Sequence, residues 1–175
     1  MPPTAAFNTA SGETIARELL ILYQNTGTYA SPAWATIGKR VEDSAVEYDW
    51  SDETVQDILG DTYGSMKKPV VTQSFDGYKL DAGDSAVVAD WEDAIKNHNP
   101  QALCNKDLLM VHHYAGTTSA PFAERYPSSM IKPTSLGGPG GGNLEMPFDV
   151  TFGGKRETGT VSKDSTTGAI TFTKD

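Results

Sequence analysis

The sequence predicts a single, mainly β domain with one amphipathic α-helix. Its 175 residues are enough for one domain with a real core and too few for two comfortable ones. The 17 glycines, 10 prolines and 38% hydrophobic content are typical of a turn-rich β protein rather than a helical bundle. Several short runs alternate between apolar and polar residues, whereas only residues 83–99 carry a helical stripe.

The charge and the cysteine content limit the classes of function. The formal net charge is −9 and the sequence pI is near 4.7, so the surface repels phosphates and tight wrapping of nucleic acid is not expected. The single cysteine, Cys104, cannot form an internal disulfide, and we expect it to be a small buried residue. The N-terminus lacks the pattern of a signal peptide, and no stretch approaches the roughly 20 apolar residues of a membrane span. We therefore expect a soluble protein of a reducing cytoplasm.

The predicted strands follow in order along the chain. Residues 1–16 are small and polar and predict a mobile arm, and residues 17–175 form the domain. Strands are predicted over residues 17–24, 46–50, 69–77, 107–116, 121–133 and 143–154, followed by a hairpin over residues 158–172. Prolines within residues 121–133 favour a sheet edge for that strand.

The strand at residues 46–50 has two distinct faces. Val46, Tyr48 and Trp50 alternate with Glu47 and Asp49. Because successive strand residues point to opposite faces, this alternation predicts one buried face and one acidic face.

The predicted helix begins at Asp84 or Ser85, which can act as an N-cap, and ends before Pro100. Its apolar stripe consists of Val87, Val88, Trp91 and Ile95.

Residues 51–68 fit neither the helical nor the strand period. Ser51 could cap a single helical turn, but Gly60 and Gly64 prevent a longer helix. We expect a long loop here, and structureless loops of such length in compact domains are usually functional or disordered. Apolar residues on a loop without a core of its own are costly in water unless something covers them. The simplest cover is another copy of the protein, which indicates an assembly subunit.

The glycine-rich residues 137–142 invite comparison with phosphate-binding loops. A P-loop needs a lysine and a serine or threonine after its last glycine, at the start of a helix. Here Asn143, Leu144 and Glu145 follow and lead into a strand. We instead expect a flexible connector, or hinge, made by Gly137, Gly138, Gly140, Gly141 and Gly142.

The remaining candidates for catalysis or metal binding do not form a site. His112 and His113 are neighbours on a strand and point to opposite faces, and His98 follows the helix. No GxSxG motif exposes a serine nucleophile, and the acidic stretches lack the glycine at the sixth position of an EF-hand loop. We expect no catalytic residues, no metal and no cofactor, and hence not an enzyme.

The order of these motifs resembles the major tail tube proteins of long-tailed bacteriophages. The shared features are an N-terminal strand ending in a turn, a tryptophan shortly before "IG", an acidic strand and an "ILG" loop. The strand "PVVTQSFDG", a capped helix after "AGD", and a glycine-rich run before "EMPFDVTFGG" and a terminal hairpin are similar too. The resemblance covers residues 18–172.

This resemblance implies a β-sandwich or barrel of two packed sheets with one helix. It further implies that six copies form a ring with a continuous inner β-barrel, that rings stack into a tube, and that DNA passes through the lumen without binding. The implied partners are the protein itself and the tape-measure, tail-tip and terminator proteins, with no membrane. The implied location is the phage tail, after assembly in the host cytoplasm. The chain would lack the extra surface domain that some relatives carry.

Position along the chain assigns residues to these roles. The inter-ring and inter-subunit loop would comprise Trp50, Asp52, Glu53, Val55, Asp57, Ile58, Leu59, Tyr63, Met66, Lys67 and Lys68. Glu42, Glu47 or Asp49 would face the lumen, where carboxylates repel phosphates, and the alternative is that they lie on the outer surface. The glycine hinge would let the adjoining strands move on assembly.

Two other classes of function stay open at this point. A monomeric β-sandwich module that binds carbohydrate or a host-surface ligand would carry clustered exposed aromatic residues on one sheet face. A hydrolase would need two carboxylates brought close in space by the fold. Either would remain monomeric at high concentration, whereas a tube subunit would form rings or polymers.

Overall fold

The computed structural model describes residues 6–175, and this part of the chain holds eleven strands and two short α-helices. The strands are β1 (Leu20–Asn25), β2 (Trp34–Ile37), β3 (Val46–Asp49), β4 (Glu53–Gln56), β5 (Thr62–Ser65), β6 (Val70–Phe75), β7 (Lys106–Thr117), β8 (Ala120–Pro133), β9 (Phe148–Thr151), β10 (Glu157–Lys163) and β11 (Ile170–Lys174). A 3-10 turn (Arg17–Leu19) precedes β1. Helix α1 (Ser85–Trp91) continues as a π-helical turn (Glu92–Lys96), and α2 (Pro100–Leu103) follows.

Nine strands form one antiparallel sheet that bends into two layers. The strand order is β2-β1-β7-β8-β9-β6-β3, and β10 and β11 branch from β8. The first half of β8 pairs with β10, from Phe122 to Arg125, and its second half pairs with β9, from Met130 to Pro133. The two layers, β2-β1-β7-β8-β10-β11 and β8-β9-β6-β3, therefore share β8. The prediction of a mainly β fold with one main helix is confirmed.

The main core lies between the two layers. Leu22 and Leu108 of the first layer pack in one cluster with Val71 and Val150 of the second. The rings of Phe75 and Phe148 stack there with their centroids 4.6 Å apart. A second cluster, centred on Tyr23, Leu109 and Val161, lies on the other face of the first layer, and Ile170 and Phe172 of β11 pack against it.

The expected edge position of β8 is wrong, because β8 lies in the middle of the sheet. Pro127 sits where β8 changes partner from β10 to β9. The register between β7 and β8 also shifts there, between Lys106 and Leu108. A proline is tolerated inside a sheet at such an irregularity, because no ladder hydrogen bond requires its missing N–H.

The predicted buried face of β3 is wrong for two of its three residues. Val46 packs against the main core, but Tyr48 and Trp50 are 47% and 49% exposed. Their rings stack on each other, with centroids 6.2 Å apart. Because β3 is the edge strand and pairs only with β6, its aromatic side chains are covered less than those of an inner strand.

Helix α1 forms within the predicted segment but is shorter. Asp84 occupies the N-cap position, yet its carboxylate accepts a hydrogen bond from the Tyr78 hydroxyl at 2.8 Å instead of capping the helix. Ala86 and Val87 are buried in the main core. Pro100 lies beyond this helix, as predicted, and begins α2.

The expected burial of Cys104 is wrong, because its side chain is exposed at the C-cap of α2. Helix α2 is one turn long and lies in the connection from the helical segment to β7. None of the residues of α2 is buried, and its cap residue is likewise in contact with solvent.

Part of the predicted N-terminal arm contacts the sheet. The backbone of Phe7 forms an isolated bridge with Ala115, and the Asn8 N–H donates to the Tyr114 carbonyl at 2.9 Å. Residues 1–5 of that arm lie outside the described residues, and the mobility of the arm stays a prediction.

Candidate assembly interface

Residues 51–68 form a β-hairpin, so the predicted structureless loop is wrong. Strands β4 and β5 pair antiparallel, from Glu53 opposite Ser65 to Gln56 opposite Thr62, as a separate two-stranded sheet. The Asp57 carboxylate closes the turn by accepting the N–H groups of Leu59 and Asp61 at 2.8 and 2.9 Å.

The turn is fixed by charge and by backbone conformation together. The hydrogen bond from the Asp61 N–H, with smaller contributions from Leu59 and Tyr63, lowers the pKa of Asp57. The carboxylate is therefore ionised, and a good acceptor, at neutral pH. Gly60 adopts φ +90°, a left-handed conformation that favours glycine.

The hairpin projects from the end of the β3–β6 strand pair. Its base is closed by the Lys67 N–H, which donates to the Trp50 carbonyl at 3.0 Å. Ser51, shortly after the end of β3, has a φ of +44°, so the extended backbone conformation of the strand does not continue through it. At about 3.3 Å per residue, the chain from Trp50 to Ile58 reaches at most about 26 Å beyond that base. Every residue of β4 and β5 is exposed.

The hairpin presents its apolar side chains to water. The exposed fractions are 55% for Val55, 102% for Ile58, 83% for Leu59, 60% for Tyr63 and 74% for Met66. An isolated two-stranded hairpin is marginally stable, and a cluster of exposed apolar groups usually marks an interaction surface. Full burial of Ile58 and Leu59 in a partner would contribute about 1.5–3 kcal/mol each. The turn is therefore the strongest candidate for a contact with another protein molecule.

All the residues that the sequence assigns to an inter-subunit loop lie on or beside this hairpin. Trp50 and Lys67 are at its base, and Asp52, Glu53 and Lys68 are exposed next to them. No ion pair between described residues involves these last three side chains. The base of the hairpin therefore carries the carboxylates of Asp52 and Glu53 on one side and the ammonium group of Lys68 on the other. These groups are available to pair with charges of another molecule.

The three acidic residues predicted to face the lumen lie in two different places in the structure. Glu47 and Asp49 are exposed on the same face of β3, and cross-strand pairing aligns Glu47 with Thr72 of β6 and Thr151 of β9. Glu42 lies before β3, and its carboxylate accepts a hydrogen bond from the Lys79 ammonium at 2.9 Å. Hydrogen bonding to Lys79 and the charge of that lysine lower the pKa of Glu42.

The glycine-rich segment is exposed, but backbone hydrogen bonds join its two ends. Gly137 and Glu145 exchange two backbone hydrogen bonds, of 3.0 and 2.6 Å, which close the run into a loop. Gly138 approaches the Asn143 carbonyl so closely that an added Cβ would lie 2.3 Å from its oxygen. Gly140 has no neighbour within 4 Å of such a Cβ, and Gly141 adopts φ +77°. Movement about this loop stays a prediction.

The two adjacent histidines have different surroundings. His112 is buried, with Nε2 3.0 Å from the Glu124 carboxylate and Nδ1 2.7 Å from the Tyr114 hydroxyl. His113 has a buried Nε2 without a hydrogen-bond partner among the described residues. Burial and the charge of Lys163 lower the pKa of His113.

Metal binding and membrane insertion receive no structural support within residues 6–175. This part of the chain contains no group of three or more histidine, cysteine, aspartate or glutamate side chains placed to hold a metal ion. None of its helices has the length and apolar character needed to cross a bilayer.

Sequence reasoning missed a cleft between the two layers. The cleft has a volume of about 520 Å³ and lies between β1 and β2 on one side and β6 on the other. Its lining residues come from three segments that lie far apart in sequence, within residues 17–22, 36–44 and 73–75, without Leu19, Arg40 and Ser74. Nothing in the local pattern of any one segment signals it, because the cleft exists only when the layers pack.

No protein-family model and no curated protein matches this chain. Solved structures with similar folds include the anti-feeding prophage cap (AFP tube terminating cap), at 14% identity and a TM-score of 0.47 over 91% of this chain and 99% of that one. A chain of the PVC sheath-tube complex of an extracellular contractile injection system in its extended state has 11% identity and a TM-score of 0.48, over 86% and 95%. A chain of the PVC sheath/tube terminator in its extended state has 11% identity and a TM-score of 0.47, over 85% and 99%. With identities and TM-scores this low, the likeness carries no functional argument.

Proposed function

We propose that this protein is a structural subunit of a phage-type tail tube, built from stacked hexameric rings through which DNA passes. The observation that carries the proposal is the projecting hairpin, whose tip exposes Ile58 and Leu59 almost completely. The fold gives these side chains no cover of their own, and a neighbouring copy in the next ring would supply it. The order of motifs along residues 18–172 resembles the major tail tube family and supports the same proposal.

Ring formation would use the open edge of the sheet at β3. The outer edge of β3 (Val46–Asp49) is unpaired within the described chain. The unpaired backbone groups of an edge strand can pair with a strand of another chain and cause aggregation. If the edges of six subunits paired with one another in a ring, no such edge would remain open. The exposed face that carries Glu47 and Asp49 would then line the lumen, where its negative charge would let DNA pass without adhering.

The other components follow from the same proposal. Tape-measure, tail-tip and terminator proteins would bind the assembled tube, and the particle would be a phage tail or a tail-like relative assembled in the host cytoplasm. The glycine loop at residues 137–142 would act as the hinge that adjusts neighbouring strands on assembly.

Negative-stain electron microscopy of the purified, concentrated protein tests this function. We expect six-fold rings or hollow tubes. Rings of another symmetry would reject the hexamer and retain the tube. A population that contains only small, monodisperse particles, also after addition of tail-tip components, would contradict the proposal.

The stacked pair of Tyr48 and Trp50 favours a second candidate, a monomeric carbohydrate-binding module. Both rings are about half exposed, and aromatic faces of this kind can pack against sugars. Tyr48 lies on the edge strand β3 and Trp50 directly follows it, and the pair is not part of a larger aromatic platform among the described residues. Glycan-array binding by a monomer, lost in Trp50→Ala, would favour this module over the tube subunit.

A further inference from the structure

A shielded lysine lies between two carboxyl groups where the helical segment meets the sheet. The Lys106 Nζ, at the start of β7, is 2.9 Å from Asp90 Oδ1 and 2.8 Å from Asp93 Oδ2. Asp90 belongs to α1, and Asp93 belongs to the π-helical turn that follows it. Asp90 Oδ1 also accepts a hydrogen bond of 2.9 Å from Gln24 Nε2 of β1. The fold therefore brings an amine, two carboxyl groups and an amide donor to one point.

This cluster has little contact with water. The side chains of Asp90 and Lys106 are 6% and 11% exposed, and that of Asp93 is 24% exposed. In the other lysine ion pairs between described residues, the lysine side chain is 31–65% exposed. Among these pairs, the Lys106 amine is thus the one best shielded from solvent.

Burial of one amine with two carboxyl groups disfavours the state in which both carboxyl groups are charged. Burial raises the pKa of Asp90, although the charge of Lys106 opposes this effect. Burial lowers the pKa of Lys106, but its two acidic neighbours raise it more. These directions favour an ammonium group at Lys106 with Asp93 as its counter-ion, and a neutral carboxylic acid at Asp90. A neutral carboxylic acid accepts a nucleophile much more readily than a carboxylate does.

The choice of lysine also distinguishes this cluster from a purely structural ion pair. In the neighbouring buried pair, Arg125 of β8 binds Asp107 of β7. Arginine stays charged and is the usual residue for a buried ion pair, whereas a buried lysine can lose its proton and act as a nucleophile. The lysine cluster is also incompletely satisfied, because the buried Gln24 Oε1 has no hydrogen-bond partner among the described residues.

We propose that Lys106 and Asp90 react to form an intramolecular isopeptide bond between the lysine Nζ and the aspartate Cγ. The fold holds the two groups at hydrogen-bond distance, and such positioning makes the reaction effectively unimolecular. The bond ties α1 covalently to the start of β7, a link that the single cysteine of the chain cannot supply as an internal disulfide. It forms within one subunit and goes beyond the tail-tube function, on which it does not depend.

Each group of the cluster has a role in this step. The Asp93 carboxylate takes a proton from the Lys106 ammonium, and the nitrogen lone pair then forms a bond to Asp90 Cγ. The carbonyl electrons move to Asp90 Oδ1, where the Gln24 Nε2–H group stabilises the negative charge. The oxyanion collapses and expels the hydroxyl group, which leaves as water with the proton held by Asp93. The amide nitrogen releases its extra proton to solvent.

Peptide mapping of the purified, folded protein tests this bond. Loss of one water lowers the mass by about 18 Da relative to the mass calculated for the chain. Trypsin cleaves after an unmodified lysine, so a free Lys106 yields the separate peptides 80–96, 97–106 and 107–125. We expect no cleavage after Lys106 and one branched peptide in which residues 80–96 are joined to residues 97–125, with fragment masses that locate the link at Asp90 and Lys106. Lys96 pairs with Glu92 at 3.0 Å on the exposed surface and is the internal control, which should be cleaved normally.

Two variants test the chemistry. Lys106→Arg keeps the positive charge but has no nucleophilic amine, so it should fold and retain its full calculated mass. Asp93→Asn keeps both reacting groups but lacks the proton acceptor, so the bond should form about 10²–10⁴-fold more slowly in a protein with a native circular dichroism spectrum. A link that forms as fast in Asp93→Asn as in the native protein would contradict the role of Asp93.

The native protein alone decides whether the bond exists. Full mass and normal cleavage after Lys106, also after prolonged incubation of the folded protein at neutral pH, would overturn the inference. Loss of water without the branched peptide would locate the dehydration elsewhere and would overturn it equally. Neither result affects the tail-tube proposal, which is tested by the formation of rings or tubes.

Discussion

Arg125 and Asp107 form a two-pronged ion pair between β8 and β7. The Arg125 Nε and Nη2 groups donate to the two Asp107 carboxylate oxygens at 3.0 and 2.6 Å, and both side chains are nearly buried. The guanidinium also lies 4.0 Å from the centre of the Tyr29 ring. The hydrogen bond and the charge of Asp107 raise the pKa of Arg125.

Breaking this pair should destabilise the monomer strongly. Asp107→Asn or Arg125→Met leaves one buried charge without its partner, and such losses cost about 3–5 kcal/mol. Urea denaturation followed by circular dichroism measures the change in the free energy of unfolding. The control is Asp81→Asn, which breaks an exposed pair with Arg40 and should cost less than about 1 kcal/mol. Equal effects at the two sites would contradict the assigned role of burial.

Glu124 should make the stability depend on acidic pH. Burial raises the pKa of Glu124, but hydrogen bonding to His112 and the charge of Arg156 outweigh it, so the pKa lies below its usual value. A lowered folded-state pKa contributes stability above the unfolded value of about 4.3, and this stability is lost as the pH falls through the folded pKa. Urea midpoints should therefore decline below about pH 4.3 in the native protein and less steeply in Glu124→Gln. Glu13→Gln, an exposed control, should follow the native curve; a Glu124→Gln curve as steep as the native one would refute the linkage.

The glycine loop should tolerate substitution at one position and not at another. Gly138→Ala places a Cβ 2.3 Å from the Asn143 carbonyl oxygen, so the loop must open, whereas Gly140→Ala meets nothing within 4 Å. We expect faster amide hydrogen exchange at residues 137–145 in Gly138→Ala and unchanged exchange in Gly140→Ala. Similar exchange in both variants would show that the close approach at Gly138 does not hold the loop.

The acidic face of β3 should control adhesion of DNA to assembled particles. Glu47→Lys with Asp49→Lys replaces repulsion of phosphates by attraction at that face. DNA should then co-sediment with the tubes and be released by salt. The control is Glu13→Lys with Asp175→Lys, which makes the same change in net charge elsewhere on the surface. Equal DNA binding by the two double variants would place Glu47 and Asp49 outside the lumen.

Strands that bury a regular face could be predicted from the sequence. Strand β7 places Leu108 and Met110 in one cluster and Leu109 and Val111 in the other, so its long apolar run reflects burial on both faces. Helix α1 could be predicted because Val87 faces the core at helical spacing.

The remaining features depend on tertiary structure that no local pattern encodes. The hairpin buries neither face, so β4 and β5 show no apolar alternation, and its turn depends on hydrogen bonds to Asp57. The central position of β8 depends on a partner change at Pro127, where a proline otherwise indicates an edge. The apolar residues of the candidate interface could nevertheless be predicted from the sequence. Apolar side chains in a segment without a core of its own indicate a contact surface whether the backbone forms a loop or a hairpin.

Sedimentation velocity of a hairpin-tip variant tests the central claim most directly. Ile58→Asp with Leu59→Asp removes the apolar tip without changing a buried residue, and Leu136→Asp with Leu144→Asp is the matched control at exposed aliphatic positions elsewhere. We predict that the native protein and the control sediment as polymers, whereas the tip variant sediments as a folded monomer with a native circular dichroism spectrum. Polymers of the tip variant that match the native ones would contradict an assembly role for the hairpin.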